Sequence, residues 1–582
     1  MSDAEGTAHE AQAQWWPSAH GALFGWTHYP TKDWRSTAVV IVPPIGPEYL
    51  HSHRAVRHLA RCVAQEGYPC IRFDHLGYGD SADLAIESDA LPAWRVGAAK
   101  AVEVALALPG VQRVVLVALR SGSLLVDAAT AARVAGLGLW YPYLRGNAFV
   151  RDLQVLDAAL ELPATDGSYL EAGGYPMGRA TADALGGCDL MSEWTSVPSH
   201  ALLITEAGLP PNRRTADALA QRGCSTLAER QLGGRPTMMR QAELMDVPLE
   251  DVEAIRSWLI ETFPESGAGA VPARASVGFE TPAWRERTLW LAGASPTFAV
   301  VTEPTQRHEG WPALVLLNAG SAHHVGPNGL HTTLARTAAA AGWVVVRLDI
   351  PGLGESSSRV ERDTHHPYPA TIASAMSPVL DALSEQLATP VVLSGLCSGA
   401  HNSYQAALAA QSGRVAGLVL LNPLTLYFQP GDDILMPAAS RTQADAQSYS
   451  ENSRDLRKWI GLLTDPLRAV RVVRGVAGVV ATRIAERSLA IGRKVGVMSP
   501  VPLVRDLQRL LRGGTRIHLL TSRSEPGYQA IRDVAPQLIS ESADEQQVAL
   551  RILSATDHTF TQRRSRDELI RDILHSLETI AK

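Results

Sequence analysis

The chain has 582 residues, 46% of them hydrophobic and 19% charged, with a formal net charge of −6. That length exceeds what a single hydrophobic core organises, and the weakly acidic balance excludes an electrostatic case for nucleic acid. No uninterrupted apolar run of about 18 residues occurs, so no transmembrane helix is expected.

From the N-terminus, Met1 to Trp16 is polar and mildly acidic, without the basic-then-apolar pattern of a signal peptide. An apolar strand follows at Ala38–Pro44, then the segment Gly67-Tyr-Pro-Cys-Ile-Arg-Phe-Asp74-His-Leu-Gly77-Tyr-Gly79-Asp80-Ser81, then a second apolar run at Val114–Gly122. The same order returns downstream as Ala313–Gly320, Gly342-Trp-Val-Val-Val-Arg-Leu-Asp349-Ile-Pro-Gly352-Leu-Gly354-Glu355-Ser356, and Val391–Gly399. The offset, Asp74 to Asp349, is 275 residues, about half the chain, which means duplicated domains and not a solenoid. Within each copy short β-branched runs alternate with Ala/Leu/Arg-rich helical stretches, for example Val344–Asp349, Leu418–Leu421, Ile517–Thr521 and Leu550–Ser554. Such alternation predicts an α/β fold with a mostly parallel sheet covered on both faces. The expected domains are residues 1–263 and 281–582, joined by a linker at 264–280 that contains Pro264, Gly267, Gly269 and Pro272.

The copies differ after the fifth strand, where the second inserts a helical stretch at about 424–514. Its apolar part carries Arg468, Arg471, Arg474, Arg483, Arg487 and Arg493. A lid with arginines facing water is the favoured reading, ahead of a helix lying on a membrane surface. The five cysteines (Cys62, Cys70, Cys188, Cys224, Cys397) show neither paired nor metal-type spacing, so no metal or cofactor and a reduced, cytoplasmic compartment are expected.

In Val391-Val-Leu-Ser-Gly395-Leu-Cys397-Ser-Gly399-Ala400 an uncharged strand turns sharply into a helix. A nucleophile on such a turn needs small residues two before and two after it, because strand and helix approach closely there. Cys397 has Gly395 and Gly399 in those places; Ser398 has Leu396 and fails. The run resembles the nucleophile elbow of the α/β-hydrolase superfamily, with cysteine in the serine position. That resemblance implies an acid after a later strand and a histidine after the last. Glu525, following Arg516–Thr521, and His558, following Ala549–Ser554, stand in those places, with Asp557 as the second-ranked acid. An oxyanion hole is expected from the backbone of Ser398 and from the loop Asn318–Asn328 at Ser321. His323, His324 and His401 are candidate substrate contacts, with ordinary loop positions for the first two and helix packing for His401 as the alternatives.

The same steric test on Val114–Ser123 places Arg120 at the first elbow, between Ala118 and Gly122. Arginine stays protonated and cannot be a nucleophile. Residues Leu202–Pro264, where a histidine should fall, contain none. The first domain therefore reads as degenerate, with Arg120 either in an internal salt bridge or contacting an anionic group. The arginine elbow, Val325-Gly326-Pro327-Asn328 and Gly395–Ala400 resemble hydrolase-like proteins of bacterial exosortase and polysaccharide systems. The resulting expectation is acyl transfer through an S-acyl-Cys397 intermediate, with His558 as base and acid and Glu525 orienting it. A small-molecule or carrier-bound acyl group is the expected substrate. An acyl carrier protein or a CoA thioester is the candidate donor, and homo-oligomerisation is left open. The rivals are a simple carboxylesterase, a peptidase or amidase, and a non-catalytic scaffold.

Overall fold

The computed structural model describes residues 11–582 apart from 32, 159–166, 210–212, 273–277, 294, 359–363, 430, 436–501, 523–524, 526–527, 529–546 and 554–555. Most of the expected lid, including its six arginines, lies outside the described residues.

The first half is built on β1 (Ala11–Ser18), β2 (Gly21–His28), β3 (Thr37–Val42), β4 (Cys70–Phe73), β5 (Arg113–Leu119) and β6 (Gly136–Trp140). A separate hairpin, β7 (Tyr169–Ala172) and β8 (Tyr175–Gly178), precedes β9 (His200–Glu206) and β10 (Thr226–Leu232). The sheet order is β1-β2-β4-β3-β5-β6-β9-β10, with β2 antiparallel to both of its neighbours and the rest parallel. The second half runs β11 (Phe279–Glu280), β12 (Trp284–Leu291), β13 (Thr297–Pro304), β14 (Ala313–Leu317), β15 (Val345–Leu348), β16 (Val391–Leu396), β17 (Val415–Leu421), β18 (Arg516–Ser522) and β19 (Val548–Leu553). Its order, β11-β12-β13-β15-β14-β16-β17-β18-β19, repeats the first plan with one short strand added at the edge. Phe279 and Glu280, read from composition as linker, form that strand. Linker residues Glu265 and Gly267 pair with Ser36 and Trp34 of the first half.

Successive residues of the central strands feed opposite faces, as the two-residue period of a strand requires. Val40, Val42, Leu116 and Ala118 enter one core of the first half, while Val39, Ile41, Val115 and Val117 enter the other. In the second half Val315, Leu317 and Leu393 face one core; Leu314, Leu316 and Val392 face the opposite one. Helix α1 (Pro47–Gln65) opens with proline, whose missing N–H costs nothing at that position, and buries Val56, Leu59 and Val63. After β10 comes α2 (Leu249–Thr262). Its counterparts in the second half are α3 (Leu330–Ala340) for α1 and, after β19, the last helix of the chain.

The halves meet along a seam made from the duplicated motif. Asp74 and Asp349 each accept the backbone N–H six residues on, from Asp80 at 3.0 Å and Glu355 at 2.9 Å. A methyl group at Gly79 or Gly354 would collide with that carboxyl group, and both glycines have positive φ, 55° and 51°. Ser81 and Ser356 accept the N–H of Phe24 and Phe298, each at 2.8 Å, tying the turn to the adjacent hairpin. The acidic side chain between them crosses to the other half. Asp80 pairs with Arg347 and, at 2.7 Å, with His324; Glu355 pairs with Arg72 at 2.6 Å, His53 at 2.9 Å and Arg57 at 3.1 Å. Arg72 and Arg347 hold equivalent positions in the repeat. Trp26 packs against Phe298 at 4.9 Å, adding an apolar contact between the two hairpins. His324 also bonds Asp349 at 2.8 Å. Burial opposes a charged ring there, but Asp349 and Asp80 outweigh it and push the pKa up to about 10.

Candidate functional site

The second elbow sits where β16 ends. Cys397 has φ 59° and ψ −114°, a strained conformation for a residue with a side chain, and α4 (Ser398–Ala409) starts at the next residue. Its N–H bonds Leu421 O at 2.9 Å, fixing the turn to β17. A methyl group at Gly395 would strike the Gly399 backbone, and one at Gly399 would lie 2.7 Å from Asn318 O. The crowding that the spacing implies is present on both sides. Cys397 is half-buried, and all five cysteines are free.

His558 lies in the loop between β19 and α5 (Arg563–Ala581). Its Nδ1 bonds Glu525 Oε2 at 2.8 Å, and Glu525 is buried. Burial opposes a charged His558 ring, but the Cys397 sulfur and the Glu525 carboxylate outweigh it and raise the pKa above the ordinary histidine value. Nε2, on the edge of the ring away from Glu525, has no hydrogen-bond partner among the described residues. Asp557 does other work: it accepts the Thr561 N–H at 2.8 Å and so shapes its own loop.

Asn422, which the sequence did not single out, joins three elements. Its Nδ2 donates to His558 O at 2.9 Å, and its Oδ1 accepts the Ser522 N–H at 3.0 Å. The histidine loop, the end of β17 and the end of β18 are thereby locked together. Were Cys397 the nucleophile, Asn422→Ala would lower turnover by about tenfold or more through misplacement of the imidazole, with a smaller change in KM. Steady-state kinetics beside a thermal melt would check this; unchanged kcat would remove Asn422 from the site. Tyr368 is also new. Its hydroxyl lies 3.9 Å from the Cys397 sulfur and its ring stacks on Phe428 at 4.4 Å, forming a wall beside the thiol.

The remaining expected residues divide. Ser398 Oγ accepts the Gly320 N–H at 2.9 Å, and Asn318 holds the same loop through Ala322 O at 2.9 Å and the Ile350 N–H at 2.8 Å. Ser321 Oγ donates to His365 O at 3.0 Å. The Ser321 backbone stands beside Glu243, a residue of the first half. His401 is buried edge-on to Tyr368 at 5.2 Å, and burial lowers its pKa to about 4. His323 and His324, read as candidate substrate contacts, belong to the seam. His323 stacks on His53 at 3.8 Å, and its pKa is pushed well down by burial; His324 is held between two aspartates.

At the first elbow Arg120 has φ 53°. Its guanidinium bonds Glu48 at 2.8 and 2.9 Å and Tyr143 Oη at 2.6 Å, and lies over the Tyr143 ring at 4.2 Å. Arg120 thus forms an internal salt bridge. Among the described residues no cluster suits a metal ion, and no helix is long and apolar enough to cross a membrane.

Strand order, an antiparallel strand (β2, β13) beside a parallel central sheet and a strained turn after β5 and β16 give each half the α/β-hydrolase fold. No protein-family model and no curated protein matches the chain. Among solved structures, the chain is similar to Est1E from Butyrivibrio proteoclasticus with ferulic acid bound, at 16% identity over 44% of this chain and 100% of that one, with a TM-score of 0.35. An alpha-beta serine hydrolase homologue from Coxiella burnetii is similar at 13% identity over 50% of this chain and 96% of that one, TM-score 0.28. Proline iminopeptidase from Mycobacterium smegmatis is similar at 18% identity, over 50% and 98% respectively, TM-score 0.30.

Proposed function

We propose that the second half is a cysteine acyl-transfer enzyme and that the first half is catalytically inactive. One observation carries the reading: a half-buried cysteine on a strained elbow, interacting with an imidazole whose other nitrogen is held by a buried glutamate at 2.8 Å. The Cys397 sulfur attacks an ester or thioester carbonyl, and its proton passes to His558. The tetrahedral intermediate collapses with the leaving alcohol or thiol taking the proton from His558. Water, an amine or an alcohol then attacks the S-acyl group and gives its own proton to the ring, and the thiol is restored. Glu525 fixes the tautomer and steadies the imidazolium. A carrier-bound acyl group, on an acyl carrier protein or CoA, suits this chemistry because the thioester and the S-acyl enzyme are close in energy. Hydrolysis of simple esters is the second reading, favoured where water is the acceptor. In the first half, the Arg120–Glu48 pair fills the place of a nucleophile.

Intact mass spectrometry after incubation with acyl thioesters tests the proposal. An acyl increment on the wild type, absent from Cys397→Ala and discharged by an added amine or alcohol, is the expected result. An increment discharged as fast by water alone would select the hydrolase reading. No increment with any donor would overturn both.

A further inference from the structure

In the second half the loop after β19 presents His558; the corresponding loop of the first half, after β10, has no histidine and is longer, running from Gly233 to Pro248. A short 3-10 segment, Ala242–Leu244, carries it across to the second half. There the Glu243 carboxylate packs so closely on Gly320 that a methyl group at Gly320 would collide with it. Gly320 has φ 57° and lies in the loop expected to supply an oxyanion donor at Ser321, whose backbone N–H is within hydrogen-bonding reach of the carboxylate. The segment is anchored on both sides. Arg54 of α1 donates to Met245 O at 3.1 Å, Met245 is buried in the first half's core, and Ala242 lies against His365.

We propose that Glu243 is a gate carried by the first half: its carboxylate occupies the oxyanion pocket beside Cys397 in the resting protein, and acyl transfer requires that side chain to swing out while the Ala242–Leu244 backbone stays anchored. This rests on the acyl-transfer reading of Cys397. A carboxylate in that place uses a donor needed by the tetrahedral intermediate and sets like charges against each other in a buried site. Burial raises the Glu243 carboxyl pKa, while the Ser321 N–H and His558 pull it back down. An alternative seat adjoins the segment. A cavity of about 60 Å³ is lined by Ala242, Met245, Arg54, Arg57 and His365, and Arg54 would receive a displaced carboxylate.

The experiment uses the full chain, a neutral acyl thioester of N-acetylcysteamine, and iodoacetamide, which alkylates a thiol without needing an oxyanion hole. Rates of Cys397 acylation and alkylation are measured for wild type, E243Q and E243A. Acylation is expected to rise about tenfold in E243A and less in E243Q, whose amide oxygen still fills the pocket, with alkylation changing by less than about twofold. Equal rises in both reactions would overturn the gate, since they report general exposure of the thiol. So would wild-type acylation that neither variant accelerates. If acylation falls in E243A and is kept in E243Q, Glu243 supports the loop and does not gate it. Alkylation without acylation in every form defeats the acyl-transfer reading, and this inference with it.

Discussion

Replacing His558 with alanine is expected to lower kcat/KM for an acyl thioester by a factor on the order of 10⁴ or more, and adding Cys397→Ala should cost little further. The reason lies in the geometry. On the acyl-transfer proposal the thiol and the ring act as one proton-transfer unit, and either alone would leave only the contribution of substrate binding and the oxyanion donors. Non-additivity is the useful feature, because residues that support the fold independently would multiply their losses. The measurement is a double-mutant cycle of kcat/KM under identical buffer and salt. Retention of activity in either single variant would remove Cys397 and His558 from the chemistry and leave the paired architecture unaffected.

The second large effect concerns the seam. Arg347 is fully buried and paired with Asp80 and Glu286. Asp80→Ala leaves that guanidinium and His324 without a shared carboxylate, and the expected destabilisation is about 3–5 kcal/mol. Glu355→Ala strips Arg72 and His53 in the same way and should cost a similar amount. Denaturant unfolding followed by tryptophan fluorescence would show both, since Trp26 and Trp290 lie at the seam. A loss below about 1 kcal/mol for each would class the pairs with exposed ones. His324 adds a pH signature. Its folded pKa is raised from 6.5 to about 10, so its contribution is complete below the unfolded pKa and fades as pH climbs toward 10. The melting temperature should drop on that alkaline limb, and Asp80→Asn should flatten the drop.

Much of the architecture is legible in the sequence because its causes are local. Alternating apolar residues announce strands, and a duplicated Gly-x-Gly-Asp/Glu-Ser announces paired domains. The register of the elbow follows from the size of Gly395 and Gly399 alone, which the crowding around both glycines explains. What stays hidden depends on partners far apart in the chain. Nothing near Asp80 signals that it reaches an arginine 267 residues later, nor that His324 is held between Asp80 and Asp349. Asn422 looks like an ordinary residue at a strand end; only the meeting of three loops reveals it. Glu243 is hidden for a further reason. The first half lacks a histidine in that loop, and the longer loop standing in its place delivers Glu243 to the other half.

The reciprocal acids of the seam also bear on ancestry. A contact in which a residue on one half grips a site on the other, and the counterpart returns the grip, is the pattern of a two-fold homodimer. Fusing such a pair into one polypeptide frees the protomers from being identical while the old dimer face holds them in place. One partner is then at liberty to lose its own chemistry and to evolve as a dedicated subunit of its twin.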